Sequence, residues 1–149
     1  MLKLIYTFLI LFFFIFQNIL ADEYFLTLRN DIVNLRNGPS FEYPIKLFYK
    51  KKYLPVLVQD KSENFRKIRD HENNTGWIHI SQLSKKKAAI VINDDTNIYS
   101  KNTIYSKPTA VSKVGKLLLI KKCKDNWCKI LSKDINGWVK KKYLWGRIE

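Results

Sequence analysis

Histidine and cysteine are scarce in this chain, and their scarcity removes several kinds of chemistry at once. Two cysteines, two histidines and 13 carboxylates are spread over 149 residues. A structural zinc takes four ligands from Cys and His, whereas Cys123 and Cys128 have no further ligands close to them in sequence. Their spacing is also wider than that of a typical redox pair. His71 and His79 lack a serine, cysteine or carboxylate partner at the spacing that nucleophilic or acid–base catalysis needs. The carboxylate pairs Asp22-Glu23 and Asp94-Asp95 fall where a junction and a turn are expected. Glycine numbers only five, and no glycine-rich run could cradle a phosphate. The expectation is a protein that is not an enzyme, with no catalytic residue, no cofactor and no metal. Long helical periodicity is missing as well, beyond the first 21 residues.

What is abundant is positive charge: 27 Lys and Arg against 13 Asp and Glu, a net +14. Such an excess suggests an anionic partner or a solvated surface enriched in lysine. The N-terminus bears on the choice. Lys3 precedes an apolar run from Leu4 to Phe16, and Ala21 precedes Asp22-Glu23. That is the layout of a secretory signal peptide over residues 1–21. The run is shorter than the roughly 20 residues of a spanning helix, although Ile19 and Leu20 extend it, so an uncleaved anchor stays open. Either way the body of the protein is expected outside the cytoplasm, in the periplasm. Export argues against nucleic acid as the partner. It favours a peptide, a protein, peptidoglycan or another anionic envelope polymer, with membrane association if the signal is uncleaved.

The rest of the chain matches itself. At a shift of 63, Asn30-Asp31 aligns with Asn93-Asp94 and Leu35 with Ile98. At 62, Pro55-Val56-Leu57-Val58 aligns with Leu117-Leu118-Leu119-Ile120, and Asn64 to Ile68 with Asn126 to Ile130. At 61, Gly76-Trp77-Ile78 aligns with Gly137-Trp138-Val139, and Leu83 with Leu144. Single-residue changes of offset lie between segments, where turns absorb them. Order kept across a whole unit is the signature of duplication. Within each half the runs are short, β-branched and aromatic, and separated by Asn, Asp, Gly and Pro, which reads as strands. Asn73 to Gly76 and Asn136-Gly137 read as hairpin turns. The glycines would supply the sharp turn, and Trp77 and Trp138 would begin the returning strand and close a barrel end. The expected architecture is all-β: a domain over residues 22–84, a short linker at 85–87 made of three lysines, and a domain over 88–149.

Leu35-Arg36-Asn37-Gly38-Pro39-Ser40, Asn64-Phe65-Arg66-Lys67-Ile68 and Gly76-Trp77-Ile78 resemble the bacterial SH3-like domain. The second half departs from the opening motif, with Ile98-Tyr99-Ser100-Lys101, but keeps the other two. The whole is similar to tandem exported SH3-like proteins of alphaproteobacteria, a family of unknown function. The resemblance implies two small, strongly bent antiparallel barrels, and a fold that hosts many unrelated tasks.

If the segment between the cysteines joins two antiparallel strands, Cys123 and Cys128 fall opposite each other and can form a disulfide, which an exported protein permits. The first half has Lys61 and Arg66 at those places. Tyr43, Tyr49, Tyr53, Trp77, Trp138 and Tyr143 are candidates for a ligand surface, although such rings also fill cores and seams. Lys50, Lys51, Lys52 and Lys140, Lys141, Lys142 stand at broadly comparable places in the two halves and could form one basic face. The functional expectation is a non-catalytic binding module that docks a peptide, protein or cell-envelope polymer. Its rivals are a structural or assembly protein of the envelope and an accessory subunit of an envelope enzyme.

Overall fold

The computed structural model describes residues 22–131 and 134–149, so the segment read as a signal peptide lies outside the described residues. Seven strands make the first unit: β1 (Tyr24–Leu28), β2 (Val33–Arg36), β3 (Ile45–Tyr49), β4 (Pro55–Ser62), β5 (Phe65–Arg69), β6 (Thr75–His79) and β7 (Leu83–Ser84). Seven more make the second: β8 (Ala88–Val91), β9 (Thr96–Tyr99), β10 (Pro108–Ser112), β11 (Leu117–Lys124), β12 (Trp127–Ile130), β13 (Trp138–Lys140) and β14 (Leu144–Arg147). A single 3-10 turn precedes the last strand of each unit, at Ile80–Gln82 and Lys141–Tyr143.

The two sheets have one topology. The first runs β3-β2-β6-β5-β4-β1-β7 and the second β10-β9-β13-β12-β11-β8-β14, the same order seven strands on. Register shifts recur at equivalent positions too, between Val58 and Asp60 in β4 and between Ile120 and Lys122 in β11. Repeat-related positions fill both cores. Leu35, Val56, Val58, Ile68, Ile78 and Leu83 are buried in the first barrel, and Ile98, Leu118, Ile120, Ile130, Val139 and Leu144 in the second. Alternation along each strand explains the pattern, because every second residue of a bent strand faces the inside.

Where alternation fails, the two barrels meet. Pro55, Val56, Leu57 and Val58 of β4 are all buried, as are all four residues of β8. A strand buried on both faces reads as an unbroken apolar run. Ala89 and Val91 point into the second core, while Ile90 joins the core cluster of the first barrel with Leu26, Leu28 and Val56. Around this apolar seam, Phe25 and Trp145 pack edge to face with centroids 4.9 Å apart. Arg147 closes it: Nη1 donates to the carbonyl of Phe25 at 2.8 Å and Nε to that of Lys85 at 3.0 Å. Gly146 has φ +148°, and a Cβ there would lie 2.5 Å from the carbonyl oxygen of Ala88 and 2.9 Å from Pro55 Cβ. Only glycine lets β14 come this close.

The closing hairpins differ from the sequence expectation in how they use glycine and tryptophan. Neither Gly76 nor Gly137 is among the residues with positive φ; in the first hairpin the left-handed residue is Asn73, at φ 66°. Gly76 is already in the ladder, opposite Ile68. A Cβ on it would stand 2.7 Å from the carbonyl oxygen of Arg36 and from Leu35 Cγ. Gly137 faces Ile98 and the carbonyl of Tyr99 in the same way. These glycines therefore serve close strand approach rather than turning. Since Gly76 and Ile78 face inward, Trp77 faces outward between them, half-buried opposite Arg36 and Lys67. Trp138 repeats this opposite Tyr99 and Lys129. Neither ring closes a barrel end.

Cys123 and Cys128 are paired across β11 and β12, directly opposite in register with Cα atoms 4.0 Å apart, and are joined by a disulfide. Lys61 and Arg66 occupy the equivalent positions across β4 and β5. The bridge is therefore an addition to a hairpin that the first barrel forms without it. Replacing both cysteines with alanine is expected to lower unfolding stability by about 2 kcal/mol on the loop-entropy argument, with the fold retained. Denaturant titration against the parent chain measures this.

Candidate functional site

The two barrels present equivalent faces, built where the β2–β3 or β9–β10 connection comes over the start of the fifth strand and the 3-10 turn. In the first barrel this face carries a cluster of its own aromatic groups. Phe41, from the β2–β3 connection and 61% exposed, lies 5.2 Å from the Phe65 ring and 5.0 Å from that of His79. Phe65 and His79 meet edge to face at 5.1 Å. The guanidinium of Arg36 stands 5.5 Å from the Phe41 ring, and its Nη1 donates to the carbonyls of Phe41 at 3.0 Å and Tyr43 at 2.8 Å. Arg36 thus ties the connection down from both sides of Glu42. His79 Nδ1 lies 2.7 Å from Ser81 Oγ at the head of the 3-10 turn.

In the second barrel the same face is open. Trp127 begins β12 where Phe65 begins β5, and Lys140 ends β13 where His79 ends β6. Tyr99 packs edge-on to Trp127 at 5.5 Å, and Lys140 Nζ stands 5.6 Å from the Trp127 ring centroid. A cleft of about 570 Å³ lies between Asn102, Thr103 and Ile104 on one wall and Asn126, Trp127, Lys140 and Lys142 on the other. Lys140 also borders a smaller hollow of about 130 Å³ that reaches Tyr99, Tyr143 and the Asn93 to Asn97 turn. A third hollow, of about 330 Å³, lies at the seam between Glu23 to Phe25 and Leu144 to Glu149. Among the described residues no three His, Cys, Asp or Glu gather in a metal-ligating group.

Tyr49, a candidate for the ligand surface, is not on one. It ends β3 with 8% exposure, and its hydroxyl donates to Asp70 Oδ2 at 2.9 Å inside the first barrel. Burial, and after it the neighbouring Asp70 carboxylate, holds its hydroxyl far above the usual phenol range. The remaining rings are scattered. Tyr43 lies against Gly38 on the β2–β3 connection, and Tyr53 turns the β3–β4 connection at φ 64°. Trp77 and Trp138 lie on the outer faces of β6 and β13. Only Tyr143 borders the group around Lys140. The lysine triads are not equivalent either: Lys50 to Lys52 connect β3 to β4, whereas Lys140 to Lys142 lead from β13 into the 3-10 turn before β14. The repeat places Lys113 to Lys116, not Lys140 to Lys142, at the counterpart of the first triad, because each connection follows the third strand of its own barrel.

Phe41, Ile104 and Trp127 were not among the sequence candidates, although the offsets contain the signal. The shift of 62 lays Phe65 on Trp127, and that of 63 lays Phe41 on Ile104.

The family model for the bacterial SH3 domain matches twice, over residues 29–85 and 94–146. The chain belongs to the bacterial SH3 domain family. Bacterial SH3 domains are binding modules, and this chain carries two of them in tandem. Among solved structures it is similar to NlpC2 from Trichomonas vaginalis, with 14% identity, 83% of this chain and 48% of that one covered, and a TM-score of 0.37. NlpC1 from the same organism gives 14% identity, 83% and 46% coverage, and a TM-score of 0.38. An NlpC/P60 family protein from Bacillus cereus gives 12% identity, 82% and 56% coverage, and a TM-score of 0.38. This tandem bacterial SH3 chain therefore spans about half the length of each. No curated protein matches it.

Proposed function

We propose that this protein is an exported, non-catalytic binding module of the cell envelope. It docks a peptide, a protein or a wall polymer without covalent chemistry, and it works in the periplasm. The observation that carries the reading is the second barrel's open cleft, with apolar Ile104 on one wall and the ammonium groups of Lys140 and Lys142 on the other. Apolar contact there gives shape, and the lysines give attraction to negative charge. The family supports a binding role, and the signal-like residues 1–21 support export. The histidines support a role without turnover: His79 belongs to the aromatic cluster of the first barrel, and His71 sits against Trp145 at the seam.

Retention on purified peptidoglycan at two salt concentrations tests this. Binding at low salt that weakens at high salt is expected, because ions screen attraction between exposed charges. Cross-linking in intact cells covers the protein partner. If the chain neither stays on the wall polymer at low salt nor cross-links to any envelope component, the reading is wrong. One dominant protein partner would instead favour an assembly role.

A further inference from the structure

We propose that the two equivalent faces have diverged: the second receives an extended acidic peptide, and the first, covered by its own Phe41, acts as a support. This names the ligand class of the binding reading above and rests on it. The repeat makes the comparison position by position. Phe41 is replaced by Ile104, Phe65 by Trp127, His79 by Lys140 and Ser81 by Lys142. In the first barrel three rings occupy the face, with Phe41 seated on both Phe65 and His79. In the second the shorter Ile104 leaves its cleft open, at about 570 Å³.

The sign of the ligand follows from the rim. No carboxylate lines this cleft, while two lysines do. In the adjoining hollow the acidic groups are already engaged. Asp94 Oδ1 accepts from the Val114 amide at 3.2 Å, and Asp95 pairs with Lys113 Nζ at 2.5 Å. Both rim ammoniums stand over rings, Lys140 over Trp127 at 5.6 Å and Lys142 over Tyr143 at 4.9 Å, which orders them without neutralising them. Charge is divided between the barrels in the same sense. Residues 88–149 carry 13 basic against 5 acidic groups, whereas residues 22–84 carry 10 against 8.

A peptide fits better than an acidic sugar chain. A pyranose wants an open ring face to stack on, and Trp127 is only 9% exposed. Among the residues lining the cleft the accessible apolar contact is aliphatic, from Ile104 at 50% exposure. Asn102 and Asn126 are also among the residues of the walls, and an asparagine amide offers both a donor and an acceptor, as a peptide backbone requires.

The test is an amide-resolved NMR titration of the full chain with three probes: a twelve-residue peptide alternating leucine and glutamate, its glutamine counterpart, and polygalacturonate. The glutamate peptide is expected to shift the amides of Asn102 to Ile104, Asn126 to Trp127 and Lys140 to Lys142, and to bind less at higher salt. K140Q/K142Q should weaken it by about tenfold, with the rest of the spectrum unchanged, whereas F41A should leave it unweakened. Equal binding of the glutamine peptide, tighter binding of polygalacturonate, or shifts centred on Phe41, Phe65 and His79 would overturn the proposal. If none of the probes binds while the protein is still retained on peptidoglycan, this inference falls and the binding reading stands. If peptidoglycan retention and cellular cross-linking are also absent, both fall.

Discussion

Exchanging Ile90 for alanine is expected to destabilise both barrels together, by about 3 kcal/mol, within the range for buried Ile to Ala changes. Ile90 belongs by sequence to β8 of the second unit, yet it is 1% exposed and packs in the first unit's core beside Leu26, Leu28 and Val56. Its neighbours Ala89 and Val91 belong to the other core. Truncation leaves a cavity in the first barrel and loosens the strand that helps wall the second. Hydrogen exchange resolved by residue should show protection falling in β4 and β5 as much as in β11 and β12. Denaturation should remain a single transition. Loss confined to residues 88–147, or two separate transitions in the parent chain, would mean that the seam does not couple the units.

Asp70→Ala should cost about as much, roughly 3–4 kcal/mol, since bonds to a buried charged acceptor are each worth about 1.5–3 kcal/mol and do not add fully. The carboxylate is 1% exposed. Oδ1 accepts from the amides of Glu72 at 2.9 Å and Asn74 at 2.8 Å, and Oδ2 from Asn74 Nδ2 at 2.8 Å and the Tyr49 hydroxyl at 2.9 Å. One side chain thereby builds the β5–β6 turn and fastens it to β3. Tyr49→Phe keeps the turn and loses one of these bonds, so its cost at neutral pH should be about 2 kcal/mol. The alkaline limb separates the two roles. Because Tyr49's pKa is raised above its ordinary 10.0 in the folded chain, the folded state keeps a proton that the unfolded state releases as pH passes 10. Its contribution is therefore complete below pH 10 and declines above it. The difference in stability between parent and Tyr49→Phe, followed by denaturant titration from pH 8 to 11, should shrink above pH 10. A difference that stays constant would place the Tyr49 hydroxyl in water.

The duplicated fold was legible because both halves preserve the same inward positions: Leu35 and Ile98, Ile68 and Ile130, Ile78 and Val139 are all in cores. The cysteine bridge was legible from its spacing and the strands on either side. Less accessible was which face an aromatic takes. Trp77 stands between inward Gly76 and Ile78, so strict alternation already sends it outward, yet its bulk suggests a core role. Tyr49 misleads in the opposite sense, since a polar ring followed by three lysines looks superficial. Its burial depends on a carboxylate 21 positions away, and no local pattern announces that partner. The seam was hidden for a related reason. An unbroken run such as Pro55 to Val58 says that both faces are covered, but not by what. The cleft required a comparison of the halves for what differs between them rather than for what they share.

The double-sided packing of β8 also bears on how this pair can be handled or inherited. Severed at Lys85 to Lys87, one fragment would carry Ile90 and the other Pro55 and Leu57 as bare oily ground, the kind of patch that drives proteins to clump. Neither half is expected to serve as a free-standing cassette, since each hides the oily strand of the other.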